Sequence, residues 1–261
     1  YLMLFEELGL DYTWSTYASE GGNFGFFTSN EMAKRLNSKI YAEAKRLGVK
    51  WILGGECGHM WRVLSQYMDT WNGPADFLEV PKSPITGTVF ENARSMKMVH
   101  VAEFTADLIK NNRLKFDPSR NAKWKVTYHD SCNMARSCGM IEQPRELLNL
   151  VCSDFGEMFP NRAENYCCSG GGGAMSMSEY TPLRLKAAKV KADQLKATGA
   201  KIVVTTCHNC TDALTDLIRH YKLGMKVTQL VNLVSNAVVV EEKVILPEIF
   251  VKPAEPLSLQ G

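Results

Sequence analysis

Gly199-Ala200-Lys201-Ile202-Val203-Val204-Thr205-Thr206-Cys207-His208 reads as a glycine turn, a β-branched strand and a cysteine at the strand's carboxyl end. A short apolar run between glycine and polar residues has the composition of a strand covered on both faces. An offset of 150 residues, from Cys207 back to Cys57, leads to a similar stretch, Gly48-Val49-Lys50-Trp51-Ile52-Leu53-Gly54-Gly55-Glu56-Cys57-Gly58-His59. A helical pattern lies upstream of each, Asn30 to Leu47 in one case and Glu179 to Lys196 in the other. Glycines precede both patterns, in Gly21-Gly22-Asn23-Phe24 and in Gly170 to Gly173. Each unit is a glycine-rich loop, an amphipathic helix, a strand and a cysteine. Trp124 to Tyr128 supplies a further strand, running into His129-Asp130-Ser131-Cys132. Strands alternating with helices predict βαβ units. The expected fold class is therefore α/β, in two pseudo-repeated βα halves with parallel strands. Residues 1–120 form the first, degenerate half and 121–261 the complete one.

Open parallel sheets present ligands beyond the carboxyl ends of their strands. Cys132, Cys207 and Cys210 fall there, and Cys167-Cys168 fall in a loop leading into a helix. A vicinal pair is a poor structural choice, because a disulfide between neighbours is strained. Two adjacent thiolates make sense if both reach one multi-iron cofactor, or two different metals. The Cys-x-x-Cys of Cys207-His208-Asn209-Cys210 is a common clasp for a soft metal or cluster. Eight cysteines in 261 residues are too few for a disulfide scaffold, and their clustering points to a metal site in a reducing compartment. The repeat does not duplicate the site. The same offset carries Cys167-Cys168 onto Tyr17-Ala18 and Cys210 onto Met60, so one cofactor site is expected. Trp14, Tyr17, Phe24, Phe26, Phe27 and Trp61 fill the first half, chiefly as core packing.

These residues resemble the cysteine-rich CCG domain family, whose pattern is a cysteine, a long spacer, Cys-Cys-Gly, a second long spacer and Cys-x-x-Cys. The likeness is carried by Tyr128-His129-Asp130-Ser131-Cys132, Pro144-Arg145-Glu146-Leu147-Leu148, Cys167 to Gly173 and Thr206 to Cys210. The family includes the B subunit of heterodisulfide reductase and iron–sulfur subunits of glycolate and lactate oxidation. With one intact motif and the remnant Gly54-Gly55-Glu56-Cys57-Gly58-His59, the chain looks most like the DsrK type, a subunit of the Dsr membrane complex. It departs from the pattern at Ser169, which stands where the family usually has glycine.

The resemblance implies that Cys132, Cys167, Cys168, Cys207 and Cys210 ligate one iron–sulfur cluster. A noncubane 4Fe-4S assembly is implied, with one of the vicinal pair bridging two irons; a cubane 4Fe-4S cluster on four of the five is the alternative. It further implies an oxidoreductase that reduces or oxidises a disulfide or trisulfide on a DsrC-like sulfur-carrier protein. Electrons would come from a membrane quinone-linked haem subunit, with the chain cytoplasmic and held at the membrane through its partners. Two other readings stand beside it: an electron-transfer subunit of a glycolate or lactate dehydrogenase, and a non-redox zinc-binding interaction module. Zinc needs four ligands and would leave one cysteine over.

His208, inside the Cys-x-x-Cys, and His59, two residues after Cys57, are candidate proton donors near neutral pH. Cys57 is a candidate redox-active thiol, substrate partner or extra ligand, with an inert remnant as the alternative. His129 is expected to order the cysteine loop, and Cys138 and Cys152 to be buried structural thiols. Gly170 to Gly173 lack a following Lys-Ser/Thr, so the phosphate-loop pattern fails; such glycines instead let backbone N–H groups approach a cluster. Lys186, Lys189, Lys191 and Lys196 read as a solvated helix face.

Composition closes off other classes. With 30 basic and 28 acidic residues and a net charge of +2, no basic block invites nucleic acid. The apolar tract from Val227 to Val240 is too short and too polar to span a bilayer. Tyr1 in place of an initiator methionine suggests a piece of a longer polypeptide.

Overall fold

The computed structural model describes residues 1–15, 17, 22–93, 97–171 and 173–239. Gly21 and Gly172 of the two glycine loops, and Val240, lie outside the described residues.

Helix α1 (Asn30–Leu47) starts where Ser29 Oγ accepts from the Met32 N–H and stops at Gly48, whose φ of 64° a side chain would disfavour. Val49 and Lys50 then lead to β1 (Ile52–Gly54) and α2 (Gly58–Gln66). β2 (Met98–His100) pairs parallel with β1 and runs straight into α3 (Val101–Lys110). The second half repeats the scheme with β3 (Val126–Tyr128), α4 (Glu142–Val151), α5 (Lys189–Ala197), β4 (Ile202–Thr205), α6 (His208–His220), β5 (Lys226–Gln229) and α7 (Leu230–Ala237). β3, β4 and β5 form a parallel sheet in that order, with Val126 opposite Ile202 and Val203 opposite Val227. The fold is thus α/β with parallel strands throughout the described ladders. Central β4 is buried along its whole length, which explains its unbroken apolar and β-branched run.

The largest core cluster draws on both halves: Leu4, Phe104, Val126, Leu147 and Leu230 all belong to it. A second cluster, around α5 and α6, contains Cys168, Cys207 and Cys210. A third joins Trp61 of α2 to Met98 and Met134. Of the first-half aromatics, Trp61 is a core residue, but Trp14 is 59% and Phe27 56% exposed.

Three expectations need correction. The helical stretch Glu179 to Lys196 is a 3-10 turn at Ser178–Tyr180 and two helices, Thr181–Ala187 and α5, broken at Ala188. Within Trp124 to Tyr128, only Val126–Tyr128 pairs as strand. Lys191 is not solvated: its relative exposure is 0%. The cause is tertiary, because Lys191 shares its inward stripe with Ala188, Ala192 and Leu195, all packed in the second core cluster.

Candidate metal centre

Strand ends deliver the sulfurs. Past β4, Cys207 is the extended N-cap of α6, with φ −141° and ψ 117°. Cys210 follows three residues later, on the same side of the first turn. The first half repeats this: Cys57 caps α2 with φ −130° and ψ 102°. Past β3, the His129 N–H donates to Val204 O (2.8 Å), extending the ladder by one step and fixing the path to Cys132. Tyr128 Oη and Thr206 Oγ1, 3.0 Å apart, tie the two strand ends together.

The loop bearing the vicinal pair comes in from the side. Cys168 is buried and Cys167 exposed. Cys168 Sγ lies 3.3 Å from Cys210 Sγ. A nitrogen of His129 and the sulfurs of Cys168 and Cys210 all lie within 4.8 Å of one another. Cys132 interacts electrostatically with Cys168 and Cys207, and Cys57 with Cys207. The five framework cysteines are thus linked by mutual electrostatic influence, and Cys57 joins them through Cys207.

Their protons are unevenly held. The hydrogen bond from Cys167, then that from Cys210, holds Cys168 well below the usual thiol value. Cys207 is pulled down to about 5, first by Cys210. The donors shift the opposite way: Cys167 and Cys210 are pushed up. Burial pushes Cys57 and Cys132 up as well. A set with thiolates already formed beside thiols awaiting deprotonation suits a cation that displaces protons on binding. Two backbone N–H groups face the sulfurs, Ser169 N to Cys167 Sγ at 3.2 Å and Gly170 N to Cys168 Sγ at 3.4 Å. Ser169 itself has φ 70°, a left-handed conformation that favours glycine. A Cβ on Gly170 would stand 2.7 Å from Asn209 Nδ2, the group that donates to Gly170 O and pins the loop to α6. A Cβ on Gly58 would meet Ser131 Oγ at 2.7 Å and Cys207 Sγ at 3.2 Å, so the first half closes tightly over the site.

His129 is 1% exposed; neither ring nitrogen has an oxygen or nitrogen partner, and the polar group it meets is the Cys168 sulfur. Burial lowers its pKa. A buried imidazole needs a polar partner, and here it stands beside Cys168 and Cys210. Soft sulfur donors with an adjoining imidazole fit a transition metal or iron–sulfur cluster and do not fit a hard oxygen-seeking cation. The donor set therefore accommodates the cluster that the motif implies.

A cavity of ≈ 320 Å³ adjoins the centre. Phe26, Phe27 and Tyr67 wall it from the first half; Gly170, Gly173 and Met175 wall it from the second. His59 and Asn209, which correspond under the repeat, both line it. His208 corresponds to Gly58 and turns outward: its side chain is 73% exposed, with Nε2 3.7 Å from Asp212. Cys152 is buried and, by that burial, pushed up to about 12. Cys138 is only half-buried, its Sγ 3.1 Å from Ser65 Oγ.

Sequence reasoning gave His129 only a role in ordering the loop, and it missed Lys191, Asn209 and Arg62. Arg62 carried a signal, since it follows His59 by three residues on one helix face and also lines the cavity. Asn209 carried one too, as the repeat partner of His59.

Residues 126–215 match CCG, a cysteine-rich domain. The chain is 42% identical over 262 residues to the Hdr-like menaquinol oxidoreductase iron–sulfur subunit of Archaeoglobus profundus, covering 92% of this chain and 47% of that subunit. It is 40% identical over 262 residues to the Hdr-like menaquinol oxidoreductase iron–sulfur subunit 2 of Archaeoglobus fulgidus, with the same coverage of 92% and 47%. Over 148 residues it is 35% identical to a subunit of the dihydromethanophenazine:CoB–CoM heterodisulfide reductase of Methanosarcina mazei, covering 56% of this chain and 35% of that one. The chain spans about half the length of the two Archaeoglobus relatives. No helix among the described residues is long and apolar enough to cross a membrane.

Proposed function

We propose that this chain, a CCG-domain protein similar to heterodisulfide-reductase-like iron–sulfur subunits, holds one iron–sulfur cluster through Cys132, Cys167, Cys168, Cys207 and Cys210. It uses that centre as an oxidoreductase subunit that makes or breaks a sulfur–sulfur bond. The observation that supports this is the approach of Cys168 from the side loop to Cys210 beyond the strand end, at 3.3 Å, with backbone N–H groups aimed at the vicinal pair. Likeness to the family further supports a noncubane 4Fe-4S type, in which adjacency of Cys167 and Cys168 has a use.

Reducing a disulfide to two thiols takes two electrons and two protons. When bound, an iron–sulfur cluster would supply those electrons one at a time. The chain supplies the rest. The aromatic and glycine walls shape the cavity and limit water. His59 is placed to give or take a proton there. Cys57, beside Cys207, serves as a thiol partner at the edge of the site. The sulfur substrate is carried by a DsrC-like protein in dissimilatory sulfur metabolism. Electrons are exchanged with a membrane quinol-linked haem subunit, through which the chain is held at the cytoplasmic membrane face. The menaquinol in the names of the Archaeoglobus relatives supports that link.

One observation favours a second reading: among the described residues, His129, Cys168 and Cys210 are the group close enough to share a single zinc ion. Anoxic metal analysis separates the two. Iron with acid-labile sulfide in several equivalents is expected, and one zinc without sulfide overturns the cluster. Cys167→Ala should lose or convert the cluster, and an unaltered spectrum in that variant removes Cys167 from the ligand set. Turnover of a DsrC-type trisulfide by the holoprotein with its partners tests the substrate.

A further inference from the structure

Lys191 carries a charge with no obvious owner. It sits on α5 between exposed Lys189 and Lys196, yet its side chain is wholly buried. Its ammonium donates to Gln194 Oε1 and lies 3.4 Å from Met158 Sδ. Neither partner is charged. The carboxylate nearest in influence, Asp130, is already committed: Arg145 takes both oxygens (2.7 and 2.8 Å), and the Arg162 N–H donates to Oδ2 (2.7 Å). Met158, which the ammonium touches, and Ala188 and Ala192 beside Lys191 on α5 share one buried cluster with Cys168 and Cys210, and the other groups that attract Lys191 are Cys168, Cys210 and Cys167. A buried ammonium needs a counter-charge. In this protein the thiolates of the metal centre are what remains.

Resting on the cluster reading above, we propose that Lys191 is the buried counter-cation of the cysteine-held centre and a positioning residue that sets how readily the centre accepts an electron. The argument is one of sign. Several thiolates around iron and sulfide leave the centre anionic, and each added electron makes it more so. A fixed positive charge behind the buried Cys168 and Cys210 favours the reduced form over the oxidised one. Low surrounding polarity strengthens this. The cavity lies on the side of Gly170 and Asn209, and none of its lining residues is Lys191. Lys191 therefore stands outside that cavity.

The test is a potentiometric titration of the anaerobically reconstituted full chain, read by electron paramagnetic resonance, in wild type, Lys191→Met, Lys191→Gln and Lys191→Arg. Met and Gln remove the charge. They should make reduction at least tenfold less favourable, which for one electron is about 59 mV lower. Arg keeps the charge and should stay near wild type. If Met and Gln shed iron while Arg retains it, the charge requirement is upheld by the metal content. An unchanged potential in clusters of full iron content overturns the proposal, as does equal cluster loss in all three variants, which would make Lys191 a matter of shape. Zinc in place of iron in the wild type would instead remove the cluster reading beneath it.

Discussion

His100 shows how one buried side chain sets acid tolerance. It ends β2 and caps α3, its Nδ1 accepting from the Ala102 N–H at 3.1 Å, and its ring meets Trp61 edge-on at 5.1 Å. Burial lowers its pKa from 6.5 to about 3. The unfolded chain therefore binds a proton between these values and the folded chain does not. Stability is intact above about 6.5 and falls as pH drops toward 3, at on the order of 1.4 kcal/mol per pH unit. His100→Asn keeps a capping oxygen and removes the titration. Its stability, followed by denaturant unfolding from pH 7 to 4.5, should decline less than that of wild type, by roughly 2 kcal/mol over the range. Parallel declines would mean that His100 takes its proton while folded. Nothing in the sequence marked His100, because its neutrality comes from packing against a helix that lies far from it along the chain.

At the scale of elements, β3 and α4 are fastened by Arg145. Its guanidinium grips Asp130 with two bonds, reaches Glu157 Oε1 at 2.5 Å and Ile141 O at 2.6 Å, and lies over the Tyr128 ring. Arg145 and Asp130 side chains are 4% and 1% exposed. Arg145→Met would leave the Asp130 carboxylate buried without its bidentate partner, a loss of about 3–5 kcal/mol. Denaturant midpoints should show it, and Asp130→Asn in the same chain should restore part of it; a loss under about 1 kcal/mol would mean that solvent reaches Asp130. The sequence exposed some elements and hid others for related reasons. α1 was legible to its ends because Ser29 and Gly48 punctuate it. The ends of β1 and β4 were legible because a glycine turn, a strand and a cysteine recur. β2 and β5 were not: each is very short, and β5 lies in a polar-broken tract that becomes strand and then α7. The break at Ala188 has no proline or glycine to announce it. Lys191 read as solvent-facing because lysines surround it, and only the packing of α5 shows otherwise.

At the scale of the whole molecule, the two halves meet at the strand ends, and Glu56 joins them. Its Oε1 accepts from the Val231 N–H of α7 (2.9 Å) and from Tyr1 Oη (3.1 Å). Its carbonyl accepts from the His208 N–H at 3.3 Å, at the start of α6. The residue before Cys57 thus holds the degenerate half against the complete one, which gives Gly54-Gly55-Glu56-Cys57 a structural use. Its Oε2 is buried without a partner, and desolvation raises the carboxyl from 4.5 to about 8. The sign is opposite to that of His100. A raised carboxyl favours the folded state below about 4.5, and that advantage is lost as pH rises toward 8. Glu56→Gln imitates the protonated form at every pH and can still accept from Val231 and Tyr1. Its stability relative to wild type should grow as pH rises from 5 to 8, by up to about 4 kcal/mol. Thermal unfolding of both proteins across that range measures it. A difference that stays flat with pH would mean that Glu56 is ionised in the folded protein and that the halves are joined through a charged carboxylate.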